Sequence, residues 1–360
     1  MPIEKRPCGV ELKRVAAREP SLADKAQFLM RGDAHRPPVH DVTCHETHMS
    51  LVFLAGDRVY KLKKPVRFPY LDFSTLARRE AACRAELNLN RRLAPDVYLG
   101  VVALVRSAQG LAIGGTGEVV DWLVVMKRLD DTQMLDRVIE EGRLHRWQLD
   151  RLAAALVQFY RRAHAVFISP AMYATQFWRS LAYNRRILLD PRFGLPAGSV
   201  WHVDAMQHRF LTERVELLAE RVQTRRIIDG HGDLRPEHIW IGDPVRIIDC
   251  LEFNARLRMV DPFDEIAFLC VECERLGAAW AGEYLRRRIM YALHDGCSEE
   301  LFIFYRCHRA TLRARLAIAH LLEPNPRTPE KWPLLARAYL RLAAADAVRL
   351  ERSLRKRGGR

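Results

Sequence analysis

No uninterrupted run of about 18 apolar residues occurs in the chain, so no part of it is expected to cross a bilayer as a helix. The opening stretch, MPIEKRPCGVELKRVAAREP, is charged throughout and lacks the apolar segment of a secretory signal. A cytoplasmic protein is the expectation. The eight cysteines are scattered and do not fall at framework spacings, which suits free thiols in a reducing compartment. Cys270 and Cys273, in IAFLCVECERLG, find no second CxxC or His pair to complete a tetrahedral zinc site. At helical spacing they are expected side by side as buried thiols in a core helix. No internal repeat is visible, and no low-complexity segment outside the tail.

The net charge of +14 likewise lacks a focus. Arg is spread along almost every segment, and a nucleic-acid footprint would need basic residues gathered on one element, preferably among aromatics. Nucleic acid is therefore not an expected partner. The one basic cluster, RLERSLRKRGGR, reads as a helix end.

What is present is an ordinary globular composition, 49% hydrophobic and 28% charged, over 360 residues. That length suits one large domain or two lobes with an ample core. The pattern predicts an N-terminal helical extension over 1–42, with the helix LADKAQFLMRG followed by an extended connector at HRPPVHDVT. SLVFLAG, a Gly56-Asp57 turn and RVYKLKK read as a β-hairpin. FSTLARREAACRAELNLNRRL reads as a helix with Ser74 as its N-cap. YLGVVALVRS, GLAIGG and VVDWLVVMKRL give three further strands. From about 130 onward helical periodicity dominates, as in HRWQLDRLAAALVQFYRRAHA and DAMQHRFLTERVELLAERVQ. The fold class is thus α+β, with a small strand-rich lobe over 43–128 and a larger, mainly helical lobe over 129–360.

One β-like island interrupts the helical half. Ile239 to Ile241 form a strand, Gly242-Asp243-Pro244 a turn, and Val245 to Ile248 return antiparallel. A hairpin brings its ends together, so Asp249 is expected beside the loop that carries Asp233 and His238. Two carboxylates and an imidazole converging at an open end suit a metal–phosphate site, where oxygen ligands hold the metal and a separate carboxylate positions a hydroxyl.

HGDLRPEH, from His231 to His238, resembles the catalytic loop of protein-kinase-like enzymes, H-R-D-x-x-x-x-N. It has the H-G-D form found in aminoglycoside and choline phosphotransferases. IIDCLEF is similar to the metal-binding Asp segment of that superfamily, and DPFDEIAFL resembles its D-P-x-x-D-L-A helix start, whose acids brace the loop. ETHMSLVFLAGDRVYKLKKP, LDFSTLARR and ELNLNRRLAP resemble one bacterial branch of it, so the likeness covers nearly the whole chain. It brings no substrate.

The resemblance implies a two-lobe kinase-like fold and an ATP-dependent transfer of the γ-phosphoryl group to a hydroxyl of a small molecule. Asp233 would orient and deprotonate the acceptor, and Arg235 would clamp the transferred group. Asp249 would chelate Mg²⁺. Lys61 would hold the nucleotide phosphates with Glu86, Lys63 and Glu80 being the competitors for these two places. Backbone groups near Met126 and Arg128 would meet the adenine. His231 would brace the loop.

Two departures stand out. His238 occupies the place of the Asn that gives an amide oxygen to a second metal, and neutral imidazole suits Mn²⁺ better than Mg²⁺. The first hairpin turn is A-G-D, with no glycine-rich phosphate cradle. A nucleotide-binding pseudokinase is the alternative these departures leave open.

Overall fold

In this computed structural model residues 19–68, 70–323 and 326–357 are described. Most of the charged N-terminal stretch and the last three residues of the basic C-terminal cluster lie outside them. Helix α1 (Leu22–Leu29) starts at Ser21, which exchanges hydrogen bonds with Asp24 in a capping box. Strands β1 (Val42–Glu46), β2 (Ser50–Ala55) and β3 (Arg58–Lys63) follow. Gly56 takes φ +60 in the turn, a conformation that glycine enters without steric cost, and Ala55 pairs with Arg58 across it. The short pair β4 (Arg67–Phe68) and β5 (Leu71–Asp72) leads to α2 (Leu76–Asn90), then to β6 (Tyr98–Ser107), β7 (Gly110–Ile113) and β8 (Glu118–Lys127).

These build one antiparallel sheet in the order β1-β2-β3-β8-β6-β7. β1 corrects the sequence reading, which ended the connector only at Thr43. Four of the five β1 residues are exposed, so this edge strand has no apolar alternation to announce it. The N-cap of α2 is also corrected. Thr75 accepts from the Arg78 N–H, whereas the Ser74 hydroxyl donates to Asp72.

Alternation along β3 sorts its side chains. Tyr60 and Leu62 join Leu29, Phe53, Leu104 and Leu123 beneath α1. Val59 points the other way, with Cys83 of α2, Tyr98, Val124 and Met126. Lys61 and Lys63 share that second face. Buried Asp121 of β8 accepts from Lys25 of α1 at 2.8 Å and from Arg79 of α2 at 2.7 Å, tying both helices to the sheet.

Past the sheet the chain is mostly helical: α3 (Leu135–Glu140), α4 (Arg146–Arg162), α5 (Pro170–Leu188), α6 (Ala197–Glu213) and α7 (Val215–Gln223). Arg214 leaves helical geometry and splits α6 from α7, which periodicity alone had joined. Short strands β9 (Ile228–Asp229), β10 (Ile239–Trp240), β11 (Arg246–Ile247) and β12 (Met259–Val260) come next. Helices α8 (Pro262–Arg275), α9 (Ala279–Leu293), α10 (Glu299–Ala319) and α11 (Lys331–Arg357) complete the described chain. Every residue of α8 from Pro262 to Cys273 is buried, Cys270 and Cys273 included, so this helix is the axis of the larger core. No described helix is long and apolar enough to cross a membrane.

Candidate active site

Between the sheet and the helical body lies a cleft of about 510 Å³. Val52, Leu54, Val59 and Met126 line its upper wall; Asp233, Arg235, His238 and Asp249 line its floor. The floor is the expected hairpin: Ile239 pairs with Ile247 and Trp240 with Arg246. Asp249 leaves β11 beside the loop that holds Asp233.

The His238 ring stands between the two acids. Its Nδ1 is 2.9 Å from the Asp233 backbone oxygen and 3.7 Å from Asp233 Oδ2. Its Nε2 is 3.0 Å from Arg235 Nη2 and 3.5 Å from Asp249 Oδ2. A guanidinium only donates, so Nε2 is the acceptor and Nδ1 carries the proton. In that arrangement the Nε2 lone pair is taken by the Arg235 guanidinium, with the Asp249 carboxylate beside it. Arg235 also donates Nε–H to Asp233 Oδ2 at 3.1 Å.

Asp249 has φ +61, a left-handed conformation uncommon outside glycine and a mark of functional positions. Two groups of the smaller lobe hold it there. Its N–H donates to Tyr98 Oη at 3.1 Å, and the next N–H, of Cys250, donates to Asn90 Oδ1 at 2.8 Å. Burial pushes the Asp249 carboxyl up, but Lys61 first, then His238 and Arg235, outweigh it and keep the group well below the usual carboxylate range. Asp233 is likewise raised by burial and lowered further by Arg235 and His238, with a net downward shift.

Lys61 Nζ lies 2.8 Å from Glu86 Oε1 and 2.7 Å from Asp249 Oδ1. Lys63 shares the other oxygen of the same carboxylate, 2.6 Å from Glu86 Oε2, and sits 2.5 Å from Glu252 Oε1. Both competing lysines therefore meet Glu86, but only Lys61 also reaches Asp249 and lines the cleft. Glu80 pairs instead with Arg84 on the outer face of α2. The buried stripe of α2 is Arg79, Ala82, Cys83, Glu86 and Asn90, at helical spacing, and it delivers Glu86 inward. Met126 and Arg128 both line the cleft, but the Arg128 N–H is engaged, donating to Asp57 O at 2.8 Å.

His231 is fully buried and pushed down to about 4, by burial first and His238 second. It is a neutral ring holding the loop: Nε2 bonds to Ile248 O at 2.9 Å, and Nδ1 accepts from the Asp233 N–H at 3.3 Å. The third acid of DPFDE does the direct bracing. Glu265 accepts from the Gly232 N–H at 2.5 Å, where Gly232 stands at φ +86. Burial pushes Glu265 up to about 7, against the lowering pull of that N–H. Asp261 caps α8 and pairs with Arg221, while Asp264 pairs with Arg309.

Three residues at the site had no role in the sequence reading: Tyr98, Asn90 and Glu252. Tyr98 and Asn90 bond backbone and Glu252 a second lysine, and their own sequence neighbourhoods carry no signal. Glu265, in the second acid place of the D-P-x-x-D motif, braces the loop as the resemblance implies.

No family model matches the chain. Uncharacterised proteins of Mycobacterium tuberculosis and Mycobacterium bovis are 34% identical to it over 324 residues, 88% of this chain and 60% of theirs. The chain thus spans about 60% of the length of the curated relatives it matches. Among solved structures, a thermostable mutant of the aminoglycoside phosphotransferase APH(4)-Ia, in ternary complex with AMP-PNP and hygromycin B, superposes with a TM-score of 0.51. It is 11% identical, with 89% of this chain and 97% of that one covered. A choline/ethanolamine kinase family protein from Mesorhizobium loti gives 0.50 at 16% identity, covering 90% and 98%. Choline kinase from Cryptosporidium parvum gives 0.50 at 8% identity, covering 88% and 90%. At such identities the likeness is one of fold.

Proposed function

We propose that this chain, which has the kinase-like fold of choline kinases and aminoglycoside phosphotransferases, is itself a phosphotransferase acting from ATP on a hydroxyl of a small molecule. The observation that carries the reading is the convergence of Lys61, Asp233, Arg235 and Asp249 on one cleft. Structural ion pairs do not need to face an open cavity; a transfer site does.

Each residue then has a task. The low-lying Asp233 carboxylate is ionised at neutral pH and accepts a proton from an incoming hydroxyl. Arg235 is held against Asp233 and His238 at the same floor, and offers further N–H donors to a phosphoryl group. Lys61 is fixed by buried Glu86 and presents its ammonium to the nucleotide phosphates. The apolar wall of Val52, Leu54, Val59 and Met126 suits a purine face.

The donor set also fits a divalent metal. Asp249 offers a carboxylate 44% open to the cleft, and His238 Nε2, 3.5 Å from it, would be freed for an ion once Arg235 turned to a phosphoryl group. These two would hold Mg²⁺ or, given the imidazole, Mn²⁺. When bound, such an ion neutralises charge on the nucleotide phosphates.

The test is ATP turnover by purified protein with Mg²⁺ or Mn²⁺ across a panel of hydroxyl metabolites. Turnover lost in Asp233→Asn and Asp249→Ala supports the reading; turnover unchanged in both ends it. A second reading, nucleotide binding without transfer, is favoured by His238 in the Asn position. It predicts metal-independent thermal stabilisation by ATP with no turnover, and activity gained in His238→Asn.

A further inference from the structure

The reading of the cleft leaves unused a second group of ligating side chains, at its rim. His48 sits in the turn between β1 and β2. His320 opens the single helical turn after α10, and Glu323 follows it at a spacing of three, on the same face. His48 Nε2 lies 2.9 Å from His320 Nδ1 and 3.2 Å from Glu323 Oε1, and His320 Nδ1 lies 2.9 Å from that same oxygen. It is the one such group of three potential ligands among the described residues.

The three atoms form a nearly equilateral triangle, and hydrogen bonding satisfies it poorly. Two ring N–H groups cannot both point inward, because they would meet head on across 2.9 Å. At least one imidazole lone pair must then face the other nitrogen and the carboxylate oxygen. A cation at the centre removes that conflict. Tetrahedral zinc with bonds of about 2.0–2.1 Å separates its donors by roughly 3.3 Å, so an outward shift of a few tenths of an ångström seats an ion. Two nitrogens and one oxygen select a borderline ion over Mg²⁺ or Ca²⁺, which favour oxygen.

The ring is also supported from behind. Trp332 stacks on His320 at 3.8 Å with the planes 14° apart, and donates Nε1–H to Arg327 O at 2.7 Å. His320 thus has two ring neighbours, Trp332 against its face and His48, whose ring centroid lies 4.7 Å away. Arg327 adds an ion pair to Glu46 at the end of β1.

We propose that His48, His320 and Glu323 form a zinc-type site with one position left to water, clasping the β1–β2 turn to the end of α10. The clasp has a place in the cleft's architecture, since Thr47, Met49 and Ser50, flanking His48, line the cleft itself.

The experiment is titration of Zn²⁺ into the full chain after chelator treatment, followed by calorimetry and by thermal unfolding, beside His48→Ala, His320→Ala and Glu323→Gln. Wild type should bind one equivalent and unfold at higher temperature with it. Each substitution should weaken that binding by more than about tenfold, since loss of even an outer partner of a zinc ligand costs about 10–100-fold. Cys44→Ser, which removes an exposed thiol, should leave it unchanged. His48 lies on an exposed turn, so its variant should unfold like wild type in chelator, which separates lost ligation from lost fold. Co²⁺ should give tetrahedral visible bands in wild type and none in His320→Ala. Wild-type binding no tighter than in the three variants overturns the proposal and leaves the trio a hydrogen-bonded contact.

Discussion

Lys61 Nζ stands 2.7 Å from Asp249 Oδ1, so the cation assigned to the nucleotide phosphates and the acid assigned to the metal neutralise each other across the cleft. Burial lowers Lys61, yet Asp249 and Glu86 outweigh it and keep the lysine charged, with its pKa well above the usual value. The pair is thus charged on both sides, and on the proposed function a nucleotide with its cation would have only to exchange one partner for another.

The two lysines of β3 should separate by phenotype. Lys61→Ala should abolish ATP turnover while leaving a folded protein, because Lys63 still neutralises Glu86. Lys63→Met leaves Glu252 buried without its cation and should cost about 3–5 kcal/mol of stability, the usual penalty for breaking a buried pair. Chemical denaturation and steady-state turnover on both variants check this; equal loss of turnover with equal stability would contradict it.

Asp233→Asn keeps size and removes the proton acceptor. Turnover should fall by about 10²–10⁴-fold, the range of a general base, with little change in the KM for ATP. A variant that changed KM alone would place Asp233 in nucleotide binding.

On the metal role proposed for His238, His238→Asn exchanges a nitrogen ligand for an oxygen. The ratio of Mn²⁺- to Mg²⁺-supported turnover should drop in the variant, as the softer ion loses its imidazole. Rates measured with each metal at saturation give the ratio directly.

Glu265 supplies a pH dependence. Its folded value is raised to about 7 from 4.5, so the folded state holds a proton that the unfolded state releases between those values. The resulting stability is fully present below about 4.5 and is lost as pH rises through 7. Glu265→Gln keeps an acceptor for the Gly232 N–H and cannot ionise. The difference in unfolding free energy, wild type minus variant, should therefore shrink as pH is raised from 5 to 8. A constant difference would mean that Glu265 stays ionised throughout.

Much of the site was legible because its elements are local. The island at 239–249 could be folded on paper from a turn and two short apolar runs, and that alone brings Asp249 back to Asp233. Period two on β3 likewise put Lys61 and Lys63 on one face. The unread parts depend on partners distant in sequence. Nothing near Tyr98 or Asn90 says that they hold the backbone at 249 and 250, which lie 151 and 160 residues away. The inward stripe of α2 could not be read from apolar periodicity, because it includes Arg79, Glu86 and Asn90, polar side chains satisfied by Asp121, by the two β3 lysines and by the Cys250 N–H. The rim histidines escaped because His48 and His320 stand 272 residues apart.

The left-handed turn at Asp249 belongs to the helical body by chain, yet it hangs from Tyr98 and Asn90 by its hydrogen bonds. The sheet and α2 therefore cannot rock against the body without tilting the carboxylate that faces the cleft. On the proposed function, a mutation that merely loosens how the upper half sits would be felt as blunted chemistry far below it.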